Sequence, residues 1–137
     1  MKKVFALVVV LAFCFLSSGC VPLLIGAAAG GLGAYAVSND TIEGDTDTPF
    51  ASLWDAAVEI AKVRGTVKVE DYNRGYIEVD AKPHKIWIKL SRLTETATRV
   101  RVSSRKNHFP DLKMAQDVFV RIFERARDVS AGRTGQE

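Results

Sequence analysis

The chain has 137 residues, a formal net charge of +3 and two cysteines, which is enough sequence for one small domain with accessory segments. Lys2 and Lys3 carry two of the three excess charges. The remainder is therefore nearly neutral, and binding to nucleic acid through overall charge is excluded. Two cysteines are too few for a disulfide framework, so an apolar core must stabilise the domain.

The first twenty residues have the pattern of an export signal. A cationic start is followed by an apolar run over residues 4–16 and by small residues that lead to Cys20. The run is shorter than the ~20 residues of a membrane-spanning helix. The stretch Leu16-Ser17-Ser18-Gly19-Cys20 resembles the lipobox of bacterial lipoproteins, although its leucine stands four places before the cysteine where three is usual. We predict a signal peptide over residues 1–19 and a lipid on Cys20. An ordinary signal peptide with a chance cysteine is the alternative.

Residues 20–38 are predicted to be the lipidated cysteine and an apolar tether. No charged residue occurs from 21 to 37, and Gly26, Gly30 and Ala34 recur at every fourth position. On a helix these small residues form a smooth face that packs closely against a partner or a second copy in the membrane. Seventeen residues reach only ~26 Å as a helix, which is marginal for a span. A flexible apolar spacer beside the acyl chains is the alternative.

Hydrophobic periodicity predicts an α+β domain over residues 39–130 and a disordered tail over residues 131–137. A short edge strand near 41–44 precedes a helix that starts at Thr48-Pro49, with Thr48 as N-cap, and ends at Gly65. Four alternating strands follow up to residue 102, the first two joined by a turn at residues 72–75 in which Gly75 is expected to have positive φ. A second helix opens at Phe109-Pro110-Asp111. We expect the order β-α-β-β-β-β-α, in which two helices pack on one face of an antiparallel sheet of four to five strands.

The lipidated cysteine, the Gly/Ala-rich stretch over residues 26–35 and the helix with Trp54 before a meander of strands resemble a family of short Gram-negative envelope lipoproteins. That family is catalogued as a domain of unknown function. The resemblance covers most of the mature chain and implies an envelope location and a small α+β fold. It carries over no catalytic residue.

Few residues in this sequence are suited to catalysis or to metal binding. Nucleophilic catalysis needs a serine, threonine or cysteine beside a base, but His84 and His108 stand apart in predicted loops. Asp45 and Asp47 lie two apart on an extended segment, which is typical of a solvated surface. We predict no catalytic residues, no metal site and no cofactor, and hence a protein that is not an enzyme.

The sheet face that points away from the helices is the strongest candidate for a binding surface. Alternation places Lys85, Trp87 and Lys89 on this face of one strand and Arg99 and Arg101 on the same face of the next, with Lys89 close to Arg101. Both arginine side chains are expected to point to water. The five residues predict an anion-binding strip for lipid headgroups, envelope glycans or an acidic partner. An ordinary solvated face with cross-strand ion pairs is the alternative.

These features predict a non-enzymatic lipoprotein of the outer membrane, acylated with palmitate or a related chain, whose domain faces the periplasm as an accessory, scaffold or binding module. Val21, where an aspartate would favour the inner membrane, is compatible with that location, and retention in the inner membrane is the alternative. The expected partners are the membrane, through the lipid, and an envelope protein or a second copy, through the tether, and not nucleic acid.

A second function from a different class is also compatible with the sequence. Thr48-Pro49-Phe50 followed by Trp54 is reminiscent of helix-grip domains. The alternative is therefore a carrier that holds a lipid or small amphiphile between helices and sheet. An apolar cavity of ~300 Å³ or more at that place would favour the carrier.

Overall fold

The computed structural model describes residues 1–2 and 34–132, and within them the chain forms one antiparallel sheet and two helices. In chain order the strands are β1 (Ala34–Ser38), β2 (Thr41–Thr46), β3 (Thr66–Asp71), β4 (Tyr76–Ala81), β5 (His84–Arg92), β6 (Thr98–Lys106) and β7 (Phe109–Pro110), and the helices are α1 (Phe50–Arg64) and α2 (Leu112–Ser130). The described strands lie in the order β1-β2-β6-β5-β4-β3, and β7 pairs with β6. The predicted α+β class, with two helices on an antiparallel sheet, is confirmed.

The helices and the sheet share one apolar core. Period-two alternation puts Ile86, Ile88 and Leu90 of β5 under the helices, each at most 2% exposed. Leu53 of α1 and Phe119 of α2 belong to the same buried cluster. Burial of a side chain of this size contributes roughly 1.5–3 kcal/mol. Because both cysteines lie within the first twenty residues, this core holds the two layers together without a disulfide.

α1 starts and ends within two residues of the predicted positions, but the residues at the ends of the helices have roles other than those predicted. Thr48 does not cap α1, since its hydroxyl oxygen lies 3.1 Å from that of Thr46 and α1 has no side-chain cap. Gly65 follows α1 with an extended backbone, φ 175°. A glycine is needed there because a Cβ would lie 2.5 Å from the carbonyl oxygen of Asp80. Asp111 does cap α2, because its carboxylate accepts a hydrogen bond from the Met114 N–H at 3.1 Å.

β1 and β7 lie outside the predicted set of strands. Phe109-Pro110 pairs with Arg105 and Lys106 as β7, so it does not open α2. β1 occupies the end of the predicted tether and turns β2 into an interior strand, where the sequence predicts an edge. Small uncharged residues are compatible with an edge strand, a helix or a spacer, so the composition of the tether does not distinguish them.

Ala34 is the first residue of β1, so the predicted helix face through Gly26, Gly30 and Ala34 is wrong at Ala34. Gly26, Gly30, the signal peptide and Cys20 lie outside the described residues. The sheet begins five residues before the predicted start of the domain at residue 39. Within residues 1–2 and 34–132, no helix combines the length and the apolar character that crossing a membrane requires.

The turn between β3 and β4 needs glycine at position 75, as the sequence predicts. Gly75 has φ +61°, and a Cβ there would lie 2.2 Å from the carbonyl oxygen of Leu90. We therefore expect Gly75→Ala to lower the free energy of unfolding by more than the ~1–2 kcal/mol that a left-handed backbone alone costs an alanine. Chemical denaturation of the two proteins measures this difference.

Gly132→Ala is the matched control for that substitution. Gly132 has φ +70°, but no atom of the residues that the structure describes lies within 4 Å of the added Cβ. Gly132→Ala therefore tests the backbone conformation without the clash. A loss of stability in Gly75→Ala that is no larger than the loss in Gly132→Ala would contradict the contact with Leu90.

Candidate functional site

The residues of the predicted anion strip all lie on the sheet face away from the helices, here called the open face. They are Lys85, Trp87 and Lys89 on β5 and Arg99 and Arg101 on β6. Lys89 is paired in register with Arg101, and Trp87 with Ser103. The predicted proximity of Lys89 and Arg101 is therefore confirmed.

Both arginines of the strip are bound by carboxylates of β2. Arg99 donates from Nε and Nη2 to the two carboxylate oxygens of Asp45, at 2.6 and 2.8 Å. Arg101 donates from Nε to Oε2 of Glu43 at 2.6 Å, and Arg99 Nε lies 3.4 Å from Oε1 of Glu43. The Glu43 side chain is only 4% exposed, so two guanidinium groups neutralise a carboxylate that is shielded from water. The hydrogen bond from Arg99 also lowers the pKa of Asp45.

A third ion pair lies just before β2. Arg105 donates from Nε to Oδ2 of Asp40 at 2.8 Å. The Asp40 carboxylate also accepts hydrogen bonds from the hydroxyls of Ser38 at 2.6 Å and Thr41 at 2.8 Å. The bond from Ser38 first, and then that from Arg105, lowers the pKa of Asp40 from 3.8 to about 2. We call these three acids and three arginines the acid–arginine ladder: Asp40, Glu43 and Asp45 with Arg99, Arg101 and Arg105.

The ladder corrects the expectation that Arg99 and Arg101 simply point to water. Their side chains are 39% and 50% exposed, but the guanidinium groups hold carboxylates and are not free for an external anion. The partners are not predicted from the sequence, because residues 41–44 are expected to form a short edge strand and Asp45 a solvated surface. The sequence does contain a pattern that indicates this pairing. Acids at the alternate positions 43 and 45 match arginines at the alternate positions 101 and 99, as expected for two antiparallel strands.

The rest of the predicted strip is a mixed-charge surface, here called the Trp87 patch. It consists of Lys85, Trp87 and Lys89 on β5 with Glu78 and Asp80 on β4. Glu78 is paired in register with the half-buried Trp87, and Asp80 with Lys85. In the part of the chain that the structure describes, neither lysine has a carboxylate within ion-pair distance. Two cations, two carboxylates and an indole suit a protein partner with charges of both signs better than a purely anionic one.

The two histidines lie near the end of the sheet where β5 starts. His84 Nε2 is 3.1 Å from Oδ2 of Asp111, which also caps α2. His108 is exposed in the turn before β7, with φ +77°. Over residues 1–2 and 34–132, no three histidine, cysteine or carboxylate side chains are grouped so as to hold a metal ion. His84 thus has a structural contact at the start of α2.

The space between the helices and the sheet is filled by side chains. Leu53, Ile88 and Phe119 belong to the cluster there and are each at most 1% exposed. Depressions of about 380, 290 and 260 Å³ on the described surface are each open to solvent. The hypothesis of a lipid carrier draws no support from these depressions.

Comparison with known proteins identifies a family, but it assigns no role to any residue. Residues 3–124 match the model of a family described as a protein of unknown function (DUF3568). The matched range includes Cys20, the acid–arginine ladder and the Trp87 patch. No curated protein matches the chain.

The buried contact of Glu43 predicts that Arg101 stabilises the fold. Arg101→Leu would leave a 4% exposed carboxylate with one guanidinium at 3.4 Å, so we expect a loss of roughly 2 kcal/mol in the free energy of unfolding. Glu43→Leu with Arg101→Leu is expected to recover part of that loss, because it removes both charges. A double-mutant cycle by chemical denaturation gives the coupling energy of the pair.

Lys89→Leu provides the control on the same face. Lys89 lies opposite Arg101 in the register but has no ion-pair partner among the described residues, so its loss should stay within about 0.5 kcal/mol. Equal effects of Arg101→Leu and Lys89→Leu, with no coupling to Glu43, would show that the ladder does not stabilise the sheet.

Proposed function

We propose that this chain, which belongs to the DUF3568 family, is a non-enzymatic, membrane-anchored lipoprotein of the bacterial cell envelope. In this proposal the domain is an accessory, scaffold or binding module of the outer membrane that faces the periplasm. Retention in the inner membrane is the alternative location.

One observation carries the proposal: only thirteen residues separate Cys20, at the end of the predicted export signal, from the first strand of the sheet. Thirteen residues extend over at most ~45 Å, so a lipid on Cys20 would keep the sheet close to a membrane. Each buried methylene contributes about 0.8 kcal/mol, and two or more acyl chains give stable anchoring where a single chain does not. The segment after Cys20 thus serves as a short connection between an anchor and a folded domain.

The Trp87 patch supports a binding role rather than a catalytic one. A half-buried indole flanked by two carboxylates and by two lysines without an ion-pair partner among the described residues resembles the aromatic and charged composition of protein interfaces. In contrast, the strongly bound carboxylates of the described residues have structural partners. Asp40 and Asp45 join β2 to β6, and Asp111 caps α2. The partner proposed for the patch is an envelope protein with charges of both signs.

The proposal predicts that Cys20 is the residue that carries lipid. Metabolic labelling with palmitate should mark the wild-type chain, and Cys20→Ser should remove the label and leave a longer, uncleaved precursor on a gel. Cys14→Ser is the matched control, because Cys14 is the other cysteine of the chain and lies inside the apolar run of the signal. This variant should be labelled and processed like the wild type.

Two results would contradict the lipid anchor. One is a wild-type chain that takes up no label although it is processed. The other is a Cys20→Ser chain that is cleaved at the same place as the wild type.

A further inference from the structure

The proposed anchor enters the sheet at one end, here called the tether end, which comprises the loops of residues 47–49, 72–75 and 93–97. β1 starts at this end, because Ala34 pairs with Gly44 near the end of β2. The register then places Thr46 beside Thr98 at the start of β6, and Thr98 beside Arg92 at the end of β5. These three loops therefore lie at the same end of the sheet as the point where the anchored segment joins the fold.

Two large apolar side chains are exposed on the loops of the tether end. Tyr72 is 46% exposed and Leu93 is 45% exposed. The ring of Tyr72 is held edge-on against Phe50 and Trp54, with centroids 5.4 and 5.3 Å apart. A fixed, half-exposed tyrosine and an exposed leucine at the same end of the sheet are suited to the interface of a membrane, where aromatic side chains are enriched.

A polar depression of about 290 Å³ lies beside Tyr72 and contains an arginine suited to an anion. Its lining includes Asn73, Arg74, Ser91 and Arg92. The Arg92 guanidinium lies over the ring of Phe50, 4.3 Å from its centroid. Arg74 is bound to Asp71 at 3.1 Å, whereas Arg92 makes no ion pair with any residue that the structure describes. The oriented guanidinium of Arg92, the hydroxyl of Ser91 and the amide of Asn73 can all donate hydrogen bonds to the oxygens of a phosphate group.

We propose that the tether end rests on the membrane that carries the anchor, with Tyr72 and Leu93 in the interface and Arg92 on the phosphate of a phospholipid headgroup. This proposal rests on the lipid anchor of the proposed function. Asp47 and Glu95 on the same loops are exposed carboxylates, so the tether end as a whole is not cationic. The contact is therefore local to Arg92 and is not a general attraction to anionic lipid.

This orientation leaves the open face accessible beside the membrane. β6 has nine residues that rise ~3.3 Å each, so its far end lies ~30 Å from the tether end. Phe109 lies at that far end and is 75% exposed. The proposal therefore assigns opposite environments to two exposed apolar side chains: Leu93 at the membrane and Phe109 in water. The Trp87 patch, between the two ends, stays free for a protein partner.

The test uses the acylated chain, purified from membranes and incorporated in vesicles of phosphatidylethanolamine and phosphatidylglycerol. The acylated Cys20 is the only cysteine after the predicted signal, so Leu93→Cys and Phe109→Cys each add one site for a fluorophore. We expect nitroxide-labelled lipids to quench the fluorophore at position 93 several-fold more than the fluorophore at position 109. Adding Arg92→Glu to Leu93→Cys should remove most of that quenching, whereas Arg92→Lys should keep it, because lysine retains the positive charge over Phe50.

Lys106→Glu in the Leu93→Cys chain is the matched control, since it reverses a charge at the far end of β6. It should leave quenching at position 93 unchanged. Equal quenching at positions 93 and 109 in an acylated chain overturns the orientation, and an Arg92→Glu chain that is quenched like its parent overturns the phosphate contact. A purified chain whose mass includes no acyl group overturns the proposed function, and the orientation with it.

Discussion

The binding of buried Glu43 by Arg99 and Arg101 is the constraint on which the position of β2 depends. A carboxylate shielded from water is stable only where cationic partners are fixed beside it. If β2 slipped by one residue against β6, Glu43 would turn toward the helices and Ile42, now fully buried, would turn to the open face. Charge pairing on one face and apolar burial on the other therefore specify the same register.

This register also determines how an anchor would be connected to the core. Among the described strands β1 pairs only with β2, and β2 joins the rest of the sheet only through β6. In the proposed lipoprotein, any force on the N-terminal lipid passes through β1 and β2 before it reaches β6. The ladder lies across that second junction, where Asp40, Glu43 and Asp45 all face arginines of β6. Ion pairs placed there resist separation of β2 from the sheet more directly than pairs elsewhere on the surface.

Local patterns were sufficient to predict most of the fold. Alternation predicts β3 to β6, and helical spacing predicts α1 and α2. Gly75 was predicted for the right reason, positive φ, whereas Gly65 is needed for a close backbone contact and not for a left-handed cap. Such a contact depends on a distant strand, which spacing within a helix does not reveal.

The sequence predicts which residues share the open face, but it does not predict which of their charges are neutralised by partners. Alternation placed Trp87, its lysines and the arginines together correctly. The electrostatics depend on which strand lies beside β6, and Glu43 and Arg101 are 58 positions apart in sequence. Because that pairing is non-local, the two arginines resemble free cations in the sequence but are bound in the structure.

Hydrogen exchange tests the central claim, that the ladder holds β2, and through it β1, against the core. In the wild type the amides of β2 should exchange about as slowly as those of β6. In Arg101→Leu, β2 amides should exchange much faster while those of β4 and β5 change little, and Glu43→Leu with Arg101→Leu should restore part of the protection. Protection of β2 in Arg101→Leu equal to that of the wild type would contradict the account.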